Sequence, residues 1–201
     1  YPTGVSMMSA GFFYKDISNY FLNTNVAGEP PFEAFDEVYQ VVNGGDAELF
    51  GIELAMVRQF DFLPRAWNGF LLDASYTYTD SESDLPERSG GIPLPGQSDH
   101  ITSMALGYEK YGFTLRLAAA YRSEFFDGTD DPTDPAFDRY QDDHLQIDFT
   151  GKYRFNELVQ AYLNVVNLND EPLYAYWGSA EFNSQYEEYG PTVEAGIRLD
   201  F

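Results

Sequence analysis

Apolar and polar residues alternate one by one along four long segments of this chain. In the last segment, Val193, Ala195 and Ile197 alternate with Glu194 and Arg198. The same alternation runs through residues 70–79, 113–122 and 144–153. A period of two places every second side chain on the same side of an extended chain. These segments are therefore predicted to be β-strands of about ten residues.

Four further segments carry the same alternation with one or two interruptions. They are residues 5–17, 48–58, 100–109 and 158–168. No segment shows the helical period of an amphipathic helix, and no apolar run approaches the roughly 18 residues that a membrane-spanning helix needs. The chain is therefore predicted to be all-β, with about eight antiparallel strands.

The connections between these strands fall into a short class and a long class. Short connections are predicted near residues 61–67, 110–112 and 154–157. Long connections, rich in Gly, Pro and acidic residues, are predicted at residues 20–45, 81–98, 124–142 and 170–189. Short turns at one end of the strands and long loops at the other are typical of outer-membrane barrels. Such long loops are uncommon in compact soluble domains, so the pattern favours a transmembrane β-barrel.

The amino-acid composition limits which partners and which metal sites the chain is expected to have. The 201 residues include 33 acidic and 11 basic side chains, a formal net charge of −22. Nucleic acid is not expected as a partner, because a polyphosphate needs a basic surface. The chain has no cysteine, and its two histidines, His100 and His144, are far apart in sequence. We therefore predict neither a thiolate nor an all-histidine metal site, and no cofactor.

Alternation alone leaves open which stripe faces water. In a soluble β-sandwich the apolar stripe forms the core, whereas in a membrane barrel it faces lipid. The apolar stripes here end in aromatic residues such as Tyr76, Tyr121 and Tyr153, and such rings suit the water–lipid boundary. The chain also ends on an aromatic residue, Phe201, and its acidic residues concentrate in the long loops. These features favour lipid on the apolar side, with a soluble β-sandwich binding module as an alternative.

Several short segments together resemble the late barrel strands of TonB-dependent outer-membrane receptors. They are residues 12–17 (FFYKDI), 42–45 (VNGG), 51–54 (GIEL), 60–64 (FDFLP), 69–78 (with ASYTY), 94–100 (LPGQSDH), 115–123 (with LRL and YRS), 164–170 (NVVNLND) and 196–201 (GIRLDF). The segments keep the order of that family over essentially the whole chain. The aromatic residue that ends the chain, Phe201, is similar to the signal by which such barrels are recognised for membrane insertion.

The resemblance implies a barrel of 22 strands with an N-terminal plug that contacts TonB. Residues 1–201 are then the C-terminal third of the barrel, without a plug, in the cell outer membrane. The implied function is active import of a large, scarce ligand, such as an oligosaccharide or a siderophore. The implied partners are the TonB complex through the plug, the barrel-assembly machinery, and outer-membrane lipid with lipopolysaccharide. A complete eight-stranded barrel with a structural or enzymatic role is the competing interpretation.

Candidate ligand-binding residues lie in the last long loop. Tyr174, Tyr176 and Trp177 form its densest aromatic group, close to acidic residues such as Glu181. Aromatic faces beside carboxylates suit stacking on sugar rings, or on a siderophore. Alternatively, the tyrosines belong to the aromatic girdle at the membrane boundary.

The polar stripe supplies candidate residues for the barrel lumen. Arg116, Asp148 and Arg198 are predicted to face the lumen, whereas apolar residues such as Leu145 and Val193 are predicted to face lipid.

Two further groups of residues contain side chains that could bind a metal ion or take part in catalysis. Residues 127–143 are rich in aspartate but lack the ligand spacing of an EF-hand loop, so a solvated loop is expected. His144 follows Asp142 and Asp143, but no serine nucleophile motif accompanies them. No catalytic residue is predicted.

Overall fold

The computed structural model describes residues 6–85 and 88–200. Its strands are β1 (Ser6–Asn25), β2 (Tyr39–Gln59), β3 (Phe70–Ser83), β4 (His100–Lys110), β5 (Phe113–Arg122), β6 (Phe125–Thr129), β7 (Asp138–Gln141), β8 (His144–Arg154), β9 (Val159–Val166), β10 (Leu173–Trp177), β11 (Asn183–Glu187) and β12 (Thr192–Leu199). Two short 3-10 helices occupy Arg65–Gly69 and Pro135–Phe137. Within the described ranges, no helix is long and apolar enough to cross a membrane.

Eight strands form one antiparallel sheet in the order β1-β2-β3-β4-β5-β8-β9-β12. Each of these strands contains most of one predicted segment, so the all-β prediction is confirmed. The sheet is open: in the described part of the chain no pairing joins β1 to β12. A complete eight-stranded barrel would need that pairing, because closure is what removes the edges of a sheet. Phe201 lies outside the described residues.

The predicted short turns all lie at one end of the large sheet. The tightest is the two-residue turn between β4 and β5, where Tyr111 and Gly112 both have positive φ, 55° and 83°. Positive φ at both central positions matches the right-handed twist of the flanking strands. Between β8 and β9, the Asn156 side chain accepts hydrogen bonds from the backbone N–H groups of Leu158 and Val159, both at 2.9 Å. The opposite end of the sheet carries the long connections and is called the loop end below.

β1 and β2 extend further than predicted, into the segment that was expected to be a loop at residues 20–45. The pairing register shifts between Ser18 and Phe21, where Asn19 has a φ of 57°. A bulge moves the following side chains to the other phase of the alternation. The inward apolar residues therefore pass from Ile17 to Tyr20 and Leu22, which conceals the strand from a strict period-two pattern.

A second, four-stranded sheet lies within segments that were predicted to be loops. Its order is β11-β10-β7-β6, and it consists of two hairpins joined through β7 and β10. Its strands have only four or five residues each. Strands of this length are too short for the alternation by which the others were recognised.

The large sheet has one apolar face and one polar face. Residues that are directly opposite in antiparallel strands share a face. Apolar partners follow one another across five strands in the order Leu106, Leu117, Phe149, Val165 and Val193. This apolar face is open to the surroundings, with Phe12 73% exposed and Ile197 70% exposed. A β-sandwich would bury these side chains against a second sheet, so the sandwich alternative is wrong.

The buried apolar core lies at the loop end, on the other face of the sheet. Tyr20 and Leu22 of β1 pack there with Ala47 of β2 and with residues of two long connections, Leu85 and Phe126. The Tyr20 hydroxyl also donates a 2.6 Å hydrogen bond to the backbone carbonyl of Asp84. The core therefore fixes the long connections and the small sheet against the extended β1–β2 hairpin.

Candidate functional site

The small sheet is held in place by a buried ion pair. The Arg88 guanidinium, in the connection between β3 and β4, donates to both carboxylate oxygens of Asp138 at 2.6 and 2.9 Å, and Nε donates to the carbonyl of Pro132 at 2.7 Å. The Asp138 side chain is buried, with 4% exposed, and the Arg88 side chain is largely covered, with 11% exposed. The hydrogen bonds with Asp138 raise the pKa of Arg88. Two long connections of the sheet are therefore tied together at one point.

One face of the small sheet carries five aromatic rings, called the aromatic row below. Ring centroids are 5.8 Å apart for Phe126 and Tyr140, and 5.6 Å apart for Tyr140 and Tyr176. The row continues from Tyr176 to Tyr174 at 6.1 Å and from Tyr174 to Tyr186 at 6.3 Å. Neighbouring rings at these distances attract each other beyond simple burial. The row spans all four strands and stiffens the sheet.

The Tyr176 side chain is buried in the aromatic row. It is 7% exposed, and its hydroxyl donates to the Glu124 carboxylate. Burial and the bond to Glu124 raise the pKa of Tyr176 well above its ordinary value, so the hydroxyl stays protonated. Tyr174 is less buried, and its hydroxyl donates to the carbonyl of Ala180 at 2.7 Å.

The opposite face of the small sheet carries Arg139. Its guanidinium contacts the Asp127 carboxylate, Gln185 Oε1 at 2.6 Å and Ser184 Oγ at 3.3 Å. These partners lie on β6 and β11, the two outer strands of the sheet. Arg139, on the inner strand β7, thus links the two outer strands, and its positive charge is paired with the Asp127 carboxylate.

A cleft of about 500 Å³ opens beside the small sheet, and we call it the aromatic cleft. Its lining comprises Asp130, Ala136, Phe137, Trp177, Gly178, Ser179 and Phe182. Phe137 comes from the connection between β6 and β7, whereas Trp177 and Phe182 come from the β10–β11 hairpin. This volume is within the usual range for small-molecule sites, ~300–1,000 Å³.

Local backbone structure sets the shape of the aromatic cleft. The Asp134 side chain accepts a 2.9 Å hydrogen bond from the N–H of Ala136 and so caps the 3-10 helix that ends at Phe137. The Gly178 N–H donates to the carbonyl of Asp138 at 2.8 Å. Gly178 has a φ of 61°, and a Cβ there would lie 3.0 Å from the backbone of Ala136. Only glycine allows the two connections to approach so closely.

The three aromatic residues predicted for ligand binding separate into two groups. Tyr174 and Tyr176 point into the aromatic row, whereas Trp177 lines the aromatic cleft. Phe137 and Asp130 also line the aromatic cleft and were not predicted to bind a ligand, because they lie in the aspartate-rich segment that was expected to be a solvated loop. The sequence signal that could have identified Phe137 is an aromatic residue within a segment of prolines and aspartates. Its approach to Trp177 depends on the pairing of β7 with β10.

The three polar-stripe residues lie on the polar face of the large sheet. Arg116 and Asp148 border a shared recess of about 150 Å³ whose floor includes Ala118. Asp148 Oδ1 accepts hydrogen bonds from Gln146 Nε2 and from the N–H of Asn167, both at 2.9 Å. Arg198 lies on the same face but on β12, the strand at one edge of the sheet, and its side chain is exposed.

The aspartate-rich segment uses several carboxylates for local turns. Asp131 Oδ1 accepts from Thr133 Oγ1 at 2.7 Å and from its N–H at 2.8 Å, and these bonds lower the pKa of Asp131. Across residues 6–85 and 88–200, no group of three or more His, Asp or Glu side chains is placed to hold a metal ion.

Known proteins resemble this chain at two levels. Residues 1–168 match the family described as TonB dependent receptor-like, beta-barrel. No curated protein sequence matches the chain.

Solved structures share the fold at low identity. The siderophore receptor PiuA from Acinetobacter baumannii is 19% identical with a TM-score of 0.64, and the match covers 96% of this chain and 26% of that chain. The outer-membrane ferripyoverdine receptor of Pseudomonas aeruginosa is 20% identical, TM-score 0.64, with 100% and 26% covered. The ferric yersiniabactin uptake receptor FyuA from Yersinia pestis is 18% identical, TM-score 0.65, with 100% and 28% covered.

The chain spans about a quarter of the length of these receptors. Its open eight-stranded sheet corresponds to part of a larger barrel wall. Since the family model matches most of the sequence, this chain belongs to the TonB-dependent receptor family of outer-membrane receptors and transporters.

Proposed function

We propose that residues 1–201 form the C-terminal part of the barrel of a receptor that binds a scarce ligand and imports it with energy from TonB. One observation carries this proposal: an open antiparallel sheet of eight strands has a continuous apolar face that no other layer of the described structure covers. Backbone groups within the bilayer must be paired, so a sheet can span it only as part of a closed barrel. About fourteen further strands would complete a 22-stranded barrel.

The two faces of the sheet define the orientation of the proposed barrel. The apolar face lies against lipid, and the polar face with Arg116, Asp148 and Arg198 lines the lumen. The plug that contacts TonB would then lie against these charged residues. The loop end is extracellular, next to lipopolysaccharide, and Phe201 serves the barrel-assembly machinery as the insertion signal.

The aromatic cleft is the proposed ligand contact of this part of the receptor. Trp177 lines it directly, whereas Tyr176 and Tyr174 hold the strand that carries Trp177 in position. The family relationship favours a ligand too large for general pores, such as a siderophore or an oligosaccharide.

Uptake by the full-length receptor tests the proposal. Ferric siderophores and oligosaccharides carrying a radioactive label are offered to cells of a Gram-negative host, with and without TonB. We expect uptake of at least one compound to require TonB, and Trp177→Ala to reduce it about fivefold or more. Trp67→Ala is the matched control, since Trp67 is an exposed tryptophan in the short connection between β2 and β3. Uptake that continues unchanged without TonB contradicts the proposed function.

A further inference from the structure

The three rings of the aromatic cleft are separate from the aromatic row. Within the described ranges, Phe137, Trp177 and Phe182 take part in no ring–ring contact, unlike the five residues of the aromatic row. Phe137 and Phe182 are both exposed. Three aromatic side chains therefore border an open space of about 500 Å³ without covering one another.

One carboxylate belongs to the same lining. Asp130 is the only charged residue among those that border the aromatic cleft in the described structure. The Tyr39 hydroxyl of β2 donates a 3.0 Å hydrogen bond to Asp130 Oδ1, and the Asp130 N–H donates to the carbonyl of Phe137 at 3.2 Å. These contacts hold the negative charge beside the rings.

The surroundings of the aromatic cleft are strongly acidic. Residues 124–143 contain eight acidic side chains and one basic side chain, Arg139, and residues 170–191 contain five acidic and no basic side chains. Arg139 is paired with Asp127, and Arg88 from the neighbouring connection is paired with Asp138. Neither guanidinium is available to an anionic ligand. The local field therefore attracts cations and repels anions.

We propose that the aromatic cleft binds an organic cation. This cation is an alkylated ammonium group that forms part of the imported ligand. A cation is attracted to the face of an aromatic ring, most strongly to tryptophan, and three rings beside a carboxylate suit a quaternary ammonium group. Such a group needs no hydrogen-bond partner, which matches a lining that is mainly apolar. This inference rests on the proposed function, because it assigns the chemical class of the imported ligand.

Other ligand groups match the lining less well. A sugar ring presents several hydroxyl groups that need partners, and the polar side chains of the lining are Asp130 and Ser179. A carboxylate or phosphate group meets Asp130 with no basic side chain in the lining. A bare metal ion would have a single carboxylate ligand, Asp130, in this lining.

Binding of choline to the purified full-length receptor in detergent tests the inference. Its neutral isostere, 3,3-dimethylbutan-1-ol, has the same shape without the charge. Ligand-observed NMR titration gives the dissociation constant of each compound. We expect choline to bind about tenfold more tightly than the isostere. Equal binding of the two compounds overturns the inference.

Substitutions locate the binding in the aromatic cleft. Trp177→Leu keeps an apolar side chain but removes the ring, and should weaken choline binding about tenfold, with Trp177→Phe in between. Asp130→Asn should weaken it about fivefold. The controls Trp67→Leu and Glu157→Gln remove a ring and a carboxylate charge at the opposite end of the large sheet, and each should leave the dissociation constant unchanged. Choline binding that is insensitive to Trp177→Leu overturns the inference.

The two proposals fail in different measurements. Choline binding that depends on Trp177 supports the cation site even when uptake proves independent of TonB, an outcome that removes the transport function. TonB-dependent uptake by a receptor that does not bind choline overturns the cation site and leaves the transport function standing.

Discussion

Among single residues, two ion pairs at opposite ends of the large sheet should differ in what they contribute to stability. Arg88 and Asp138 form a buried bidentate ion pair, whereas Arg198 and Asp200 form an exposed pair with N···O of 2.9 Å. A buried charge that loses its partner is costly, while an exposed charge is solvated by water. The stability of the small sheet should therefore depend on the first pair and not on the second.

Replacing Arg88 by methionine should open the connection between β6 and β7. The substitution leaves Asp138 buried without its counter-charge, at a cost of about 3–5 kcal/mol of local stability. Hydrogen exchange of the β7 amides in the full-length receptor measures the change. Arg198→Met is the control and should leave that exchange unchanged. Equal protection of β7 in the Arg88 variant and the parent would contradict the assigned role.

The Tyr176 hydroxyl gives a pH-dependent prediction. Burial and the bond to Glu124 raise its folded pKa above the unfolded value. The stabilisation by this bond is therefore fully present below pH ~10 and is lost only as the pH rises through the raised folded pKa. Tyrosinate absorbance at pH ~11 should be the same in the folded parent and in Tyr176→Phe. In denaturant, the variant should show one tyrosinate fewer. A smaller folded signal for the variant would show that Tyr176 ionises normally.

Among the secondary-structure elements, the sequence predicted the eight long strands but not the four short ones. The eight long strands repeat an alternation that is visible in the residues themselves. The bulge at Asn19 conceals the upper parts of β1 and β2, because it shifts the phase by one residue. The four strands of the small sheet are too short to show a period. Phe137 and Trp177 line the same cleft because β7 pairs with β10, across about 40 residues of chain, and no local pattern encodes that pairing.

Neighbouring residues of β9 test the two faces of the sheet. Leu163 lies on the apolar face, opposite Ala195, and Asn164 lies on the polar face with Nδ2 3.1 Å from Glu194 Oε2. Leu163→Arg places a charge in lipid and should cost about 2–4 kcal/mol of folding free energy. Asn164→Arg places the same charge beside Glu194 and should be tolerated. Heat-modifiable mobility of the full-length receptor in gels reports folding, and equal loss of folding in both variants would contradict the face assignment.

At the scale of the whole molecule, the two edges of the large sheet bear on the proposed barrel. β1 and β12 each pair on one side only in the described structure. Unpaired strand edges are not tolerated in the bilayer, so both edges require further strands of the same barrel. In the proposed barrel, the acidic loop end would form part of the outer surface, and the polar face would form about a third of the lumen wall. The entire proposal therefore depends on lipid contact of the apolar face.

Spin-label accessibility along β5 measures that contact most directly. Single cysteines from residue 113 to residue 121, each carrying a nitroxide, are introduced into a cysteine-free full-length receptor in lipid bilayers. The proposed orientation predicts a period of two: labels at Phe113, Leu115 and Leu117 collide mainly with oxygen dissolved in lipid, and labels at Thr114 and Arg116 do not. High oxygen accessibility at Thr114 and Arg116, or equal accessibility at all positions, would contradict it.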